Sequence, residues 1–327
     1  MKTSLLPAAT IAAVCTISAA AAEELRLSHQ WSTQDIRHNV AQILANEVAA
    51  ADVDLEITIF PSQSLFRARE QYRPLSRGRL DMTVLPLRYA AGDRPQYHLS
   101  LMPGLVRNHE HAARLVESSF MEELEDVMAQ DDVMVLVHGY LAGGFAGVDR
   151  CITSPGDVEG VSIRAAGASF DQMLAGAGGS IASMASSEIY SAMQTGVLDA
   201  ANTSSSSFVS FRIYEQVSCY TPAAETALWF LYQPLLMNLS TFEGLTEAQQ
   251  EALLSAAEIA QAYYFENAAL EDARSVEVFS QAGVEIAEMS AEDFEAWRAL
   301  AAETSYATFV KNFPDGQALL DLALSVD

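Results

Sequence analysis

Lysine is almost missing from this chain of 327 residues: Lys2 and Lys311 are the two it has, and 18 Lys and Arg together face 43 Asp and Glu. The formal charge is −25. So acidic a surface repels nucleic acid and anionic lipid, which excludes functions resting on a basic patch. It also suits a salty medium, where screening weakens self-repulsion, but it is silent about fold. Motifs of common chemistry are missing too: no Gly-x-Ser-x-Gly elbow, no His-Glu-x-x-His and no phosphate loop, so no cofactor and no metal is expected. The one close histidine pair, His109-Glu110-His111, has its members two apart, on different faces of a helix, with no third ligand within a turn. It reads better as a helix start capped by Asn108 and running to about Val127. A secreted α/β enzyme built on a scattered set of histidines and acids is the competing reading from another class.

Long apolar runs are confined to the start. Residues 1–22, MKTSLLPAATIAAVCTISAAAA, have a charged end, an apolar middle and a small-residue close, which is the pattern of a cleavable signal peptide. Cys15 follows Val14, not a small residue, so no lipid anchor is expected. No later run reaches the ~18 apolar residues of a membrane span. The mature chain is therefore expected to be soluble and periplasmic. Loss of Lys2 leaves 17 basic residues against 43 acids, a charge of −26. Half the residues are apolar, which excludes disorder, and the length suffices for two lobes with their own cores.

Taken in order, Leu25–His29 reads as a first strand ending in Gln30-Trp31-Ser32, and residues 35–50 repeat apolar positions at helical spacing with Ser32 or Thr33 as cap. Trp31, at the tip of that strand, is placed to face a cleft or to fill the core. A strand over 53–60, a helix over 63–78 and a strand over 80–86 complete a β-α-β-α-β unit, hence a parallel sheet. Residues 133–138 form another strand. A glycine-bearing segment, 139–145, suggests close backbone packing or a bend before a second strand over 145–152. Near the end, Thr246-Glu247-Ala248-Gln249 is a capping box that opens a helical pattern lasting to about Gln281. At 1.5 Å per residue such a helix spans ~54 Å, enough to brace both lobes. Helices over 291–312 and 315–325 close the chain.

The most informative stretch runs from Ser154 to Ser204. In it Arg164 sits within the strand-like run Val161-Ser162-Ile163-Arg164-Ala165-Ala166. An inward guanidinium is costly unless an acceptor meets it, and its fork fits a carboxylate. A solvent-facing arginine, or one paired with Asp157 or Glu159, is the plain alternative.

Pro155-x-Asp157-x-x-Gly160 and this Ile-Arg strand, followed by Ser187-Glu188-Ile189-Tyr190-x-Ala192-Met193-Gln194-Thr195-Gly196-Val197-Leu198-Asp199, resemble the signature of the periplasmic solute receptors of TRAP transporters. The resemblance covers essentially the whole chain after the leader. It implies an α/β, two-lobed periplasmic binding protein with parallel and mixed sheets and a long bracing helix. Lobe I would span 23–146, completed by about 233–265, and lobe II 147–232, completed by about 266–327. It implies a small polar solute, a carboxylate first, held between the lobes by Arg164 and handed to membrane permease subunits by a monomer that binds no nucleic acid. Presentation to a sensor kinase is equally compatible with the sequence.

Further site positions follow from the same resemblance. Ser186, Asn202 and Thr203 face the cleft or simply cap helices. Glu70 and Tyr89 lie near contact positions. Glu225 beside Trp229 would suit an amine, amino alcohol or zwitterion, against the plainer reading of a solvated glutamate. Some acid-sugar receptors of this family carry a second arginine near the position of Gly144; its absence argues against a strongly anionic or bulky sugar ligand. Cys151 and Cys219 fall near the joint between lobes, where a disulfide and two buried thiols both remain open.

Overall fold

The computed structural model describes residues 22–224 and 226–326. The leader, apart from Ala22, and Glu225 lie outside the described residues. Two sheets organise the chain. The first has the strand order Leu55–Phe60, Glu23–Ser28, Met82–Val84, Leu235–Asn238, Val133–Val137. Its first three strands are parallel, as the β-α-β pattern requires, and Leu235–Asn238 runs antiparallel to both of its neighbours. The second sheet runs Glu285–Ile286, Cys219–Thr221, Tyr140–Gly147, Ala200–Ser204, Ser162–Ala165, Ser180–Ser183, with Trp229–Tyr232 also paired to Tyr140–Gly147.

The glycine-bearing strand begins at Tyr140, earlier than the expected 145, and the glycines lie inside it. Close packing is their reason: a Cβ on Gly143 would fall 2.0 Å from the Thr203 carbonyl oxygen, and one on Gly144 1.9 Å from that of Thr221. The expected helix over 63–78 shrinks to Tyr72–Ser76. Ser62 and Gln63 take left-handed backbone (φ 54° and 62°), a conformation that cannot start an α-helix. The first long helix, Ile36–Ala50, is capped by Asp35, which accepts from the Arg37 N–H at 3.0 Å, in place of Ser32 or Thr33. Asn108 caps His109–Val116 as expected, and a second helix, Ser119–Ala129, continues the pattern after a break. His109 Nε2 meets Asp272 at 2.8 Å.

The brace forms as the capping box predicts: Glu247–Gln281 is one helix of 35 residues, with Thr246 and Gln249 capping reciprocally. Leu253, Ala256, Ala257 and Ala260 pack it on the first lobe, and Phe279 joins Tyr220 and Phe208 in the second. The last helix, Gly316–Leu324, packs elsewhere than the expected second lobe. Leu319, Leu320 and Ala323 share a cluster with Leu124, Met128 and Leu236, because its apolar face covers the flank of Ser119–Ala129. Cys151 and Cys219 are joined as a disulfide, with Cα atoms 5.1 Å apart. Among the described residues no helix is long and apolar enough to cross a membrane.

Candidate functional site

The carboxyl ends of the parallel strands in both sheets converge on one crevice, where open α/β sheets place their ligands. Contacts across it show that it is closed. Ser186 N–H donates to the Tyr89 hydroxyl at 3.1 Å, Gln63 Nε2 to Ser187 Oγ at 3.1 Å, and Ser169 Oγ to the His98 carbonyl at 3.4 Å. A void of only ≈ 10 Å³, about the room of one water, remains in this closed state, lined by Arg88, Tyr89, Arg164, Ser186, Thr203, Ser204, Ser207, Trp229 and Gln233 with a few apolar neighbours.

Arg164 reaches this cavity from the middle of the strand Ser162–Ala165 and is 2 % exposed. Neither Asp157 nor Glu159 meets it: Asp157 Oδ2 accepts from Thr153 and Ser154 instead. Arg164 donates through Nη1 to the Asn202 carbonyl at 2.6 Å and through Nε to that of Met184 at 3.2 Å. Both acceptors are neutral. Among the described residues no acid forms an ion pair with Arg164 or with Arg88. Burial lowers both guanidiniums, Arg88 to about 9, yet both stay cationic at neutral pH. Burial alone would raise the Tyr89 phenol; the charges of Arg164 and Arg88 outweigh it and bring the group down to about 8. This is a crevice built at positive potential in a strongly acidic protein.

The predicted site residues therefore separate. Arg164, Ser186, Thr203, Trp229 and Tyr89 line the cavity. Asn202 contributes its carbonyl to Arg164, while its side-chain oxygen and nitrogen are buried without a partner. Trp31 lies beneath the cavity and outside its lining: it is fully buried, donates to Ser207 Oγ at 3.3 Å, and carries the Arg37 guanidinium over its ring at 3.9 Å. Glu70 is exposed and away from the lining, because the helix that would have aimed it inward does not form there.

Sequence reasoning missed Arg88, Gln30, Gln233 and Arg37. Arg88 could have been found, since Pro86 stops the strand Met82–Val84 at its cleft end and the next residues must enter the crevice. The absence of an arginine near Gly144 thus does not leave Arg164 alone: the second guanidinium comes from the short helix Leu87–Ala90. Among the residues that line the cavity, the buried atoms without a partner are donors: Arg88 Nε and Nη1, Trp229 Nε1 and Gln233 Nε2. Spare N–H groups in a lining suit an acceptor-rich guest.

Arg37 supports the floor. Its guanidinium forms a two-pronged ion pair with Asp35, both bonds at 2.6 Å, and donates to Gln233 Oε1, Ser204 Oγ, Ser206 Oγ and Ser207 Oγ at 2.7–3.2 Å. One lobe's helix cap is thus tied to the other lobe's serine run. Beside it His29, fully buried, accepts the Trp31 N–H at Nδ1 (3.2 Å), so its own proton sits on Nε2, toward His38 Nδ1 at 3.1 Å. Burial and the neighbouring His38 lower His29 to about 4. Unfolded, it takes up a proton near 6.5, so its contribution to stability is full above pH 6.5 and is lost as pH falls toward 4. We expect the unfolding free energy to drop by on the order of 3 kcal/mol across that window, and to drop less in His29→Gln. Denaturant titrations at pH 7 and pH 4.5 check this; equal losses in both proteins would contradict it.

The two-lobed architecture with an interlobe polar cavity defines a solute-binding receptor. Residues 27–312 match the family described as bacterial extracellular solute-binding protein, family 7. A solute-binding protein of Albidiferax ferrireducens is 32 % identical over 288 residues, covering 86 % of this chain and 85 % of that one. The 2,3-diketo-L-gulonate-binding periplasmic protein of Escherichia coli is 26 % identical over 310 residues, covering 93 % and 92 %. Among solved structures, a TRAP periplasmic solute-binding protein from Rhodoferax ferrireducens with bound malonate superposes with a TM-score of 0.89 at 31 % identity, covering 92 % of this chain and 98 % of that one. The chain belongs to the family-7 extracellular solute-binding proteins, the receptors of TRAP transporters. It is a receptor and not an enzyme.

Proposed function

We propose that this receptor binds a small organic carboxylate between its lobes, with Arg164 as the anchor. The observation that carries the reading is a buried guanidinium with two carbonyl acceptors and no counter-ion, facing a cavity whose spare hydrogen-bonding groups are donors. Tyr89, Ser186, Thr203 and Trp229 would complete the shell, Asn202 would hold Arg164 in place, and Trp31 would support the floor from below. A compact guest would be in keeping with the malonate carried by the Rhodoferax receptor.

The lobes would part and close about the strands that connect the two sheets, with the long helix limiting the swing. A ligand need only bind the closed state better; a preference of about 5.5 kcal/mol moves such an equilibrium from one extreme to the other. In this reading residues 1–22 direct export to the periplasm, and the closed monomer docks on the membrane permease subunits.

A thermal-shift screen of the mature protein against small organic acids, amino acids and amines tests the reading. A ligand present at ~100 times its dissociation constant should stabilise the fold by about 2.7 kcal/mol. The expected hits are small carboxylates, malonate among them. A screen in which amines stabilise the protein and carboxylates do not would overturn the proposal.

A further inference from the structure

A second cavity, of ≈ 310 Å³, shares no lining residue with the crevice and has the size of a small-molecule site. One wall is formed by residues 103–107 of the first lobe. The other is the helix Ala291–Ala301 with the π-helical turn Ala302–Tyr306 that follows it. Phe294 and Trp297 seat that helix on Ile163 and Phe170 of the second lobe. Tyr306 ties the walls together, donating from its hydroxyl to the Pro103 carbonyl at 3.0 Å. Gly104 lets them approach: it has φ +67°, and a Cβ there would lie 3.1 Å from Arg298 Cγ, so the arginine stem rests on bare backbone.

The charge of this lining runs against that of the molecule. The chain carries 43 acids, yet among the described residues none lines the cavity, whereas Arg107 and Arg298 both do. Arg107 is exposed, and among the described residues no acid pairs with it. Arg298, 48 % exposed, meets Glu295 three residues away at 3.1 Å, a surface pair of the kind that contributes little and yields readily to another anion. Much of the remaining lining is apolar. Leu105 and Ala323 are buried under it, and Leu324, 52 % exposed, adds a large apolar side chain that a guest would cover.

We propose that this cavity is a second binding site, for a small carboxylate carried on an apolar body such as an aryl ring. The carboxylate meets the guanidiniums of Arg107 and Arg298, and the body covers Leu105, Ala323 and Leu324. A guest so placed touches both lobes, outside the crevice.

Calorimetric titration of the mature protein with benzoate and with benzamide, its neutral isostere, tests this. Benzoate should bind at least roughly tenfold more tightly than benzamide. The double change Arg107→Gln with Arg298→Gln should remove one equivalent of bound benzoate; the stoichiometry counts any benzoate held in the crevice separately. Both side chains lie at the surface, so the double variant should melt where the parent does. Leu324→Ser, which alters no charge, should weaken both compounds by about threefold. Equal affinity for the two compounds in the unaltered protein overturns the inference whatever the variants do, and so does a benzoate stoichiometry and affinity that survive the double change.

Discussion

Arg164→Ala is expected to abolish carboxylate binding while leaving the unliganded protein at least as heat-stable as before. The two halves of that result have one cause. Without a ligand, Arg164 is a buried guanidinium satisfied by two neutral carbonyls, and its desolvation cost is only partly offset. Removing it relieves that cost and leaves the Asn202 and Met184 carbonyls short of a donor, a loss of comparable size and opposite sign. Binding has no such compensation. Truncating one member of a buried, hydrogen-bonded charge pair costs about 2–5 kcal/mol, or roughly 30-fold to several thousand-fold in affinity. Thermal melts with and without malonate would show an unchanged or raised baseline transition and no ligand-induced shift. An affinity within threefold of the original would remove Arg164 from the site.

The second large effect concerns stability. Asp35→Ala should destabilise the protein by about 3–5 kcal/mol, because it strands the Arg37 guanidinium in the joint between lobes. The serines and Gln233 that remain around Arg37 are neutral, and the Trp31 ring supplies about 2 kcal/mol. Loss of the helix cap adds about 1 kcal/mol, which Asp35→Asn would largely spare. The double change Asp35→Ala with Arg37→Met should therefore be more stable than Asp35→Ala alone, since it removes the stranded charge. Denaturant midpoints of the three variants order the contributions; a loss under about 1 kcal/mol in Asp35→Ala would show that the pair is dispensable.

These two ion-pairing residues and His29 also part company in acid. Burial would raise the Asp35 carboxyl, but the Arg37 charge and hydrogen bonds hold it below its ordinary value. Its stabilising share is present above the unfolded value of 3.8 and is lost as pH falls through the lower folded one. Acid weakening between pH 6.5 and 4 accordingly belongs to the buried histidines, His29 and His138 foremost, both of which burial lowers to about 4.

Much of the scaffold was legible because periodic segments announce themselves. The capping box at Thr246 and Gln249 and the 35-residue pattern behind it marked the brace, and the Ile-Arg strand marked Arg164. The crevice was less legible where its residues come from aperiodic pieces. Arg88 sits on a four-residue 3₁₀ turn, which leaves no pattern, and Gln30 and Gln233 occupy strand ends whose direction depends on tertiary packing. Asp35 was overlooked as a cap because Ser32 and Thr33 offered equally good side chains three and two residues earlier; the ion pair with Arg37 decides between them. Trp31 is at the tip of the first strand, but its ring lies under Arg37 and outside the cavity lining.

A crystal structure of the mature protein grown with malonate would test the central claim most directly. The account predicts malonate between the two sheets, one carboxylate within hydrogen-bond reach of Arg164, with Tyr89 and Trp229 around it. Malonate bound elsewhere on the surface, or seated in the crevice with Arg164 still bonded only to the Asn202 and Met184 carbonyls, would contradict it.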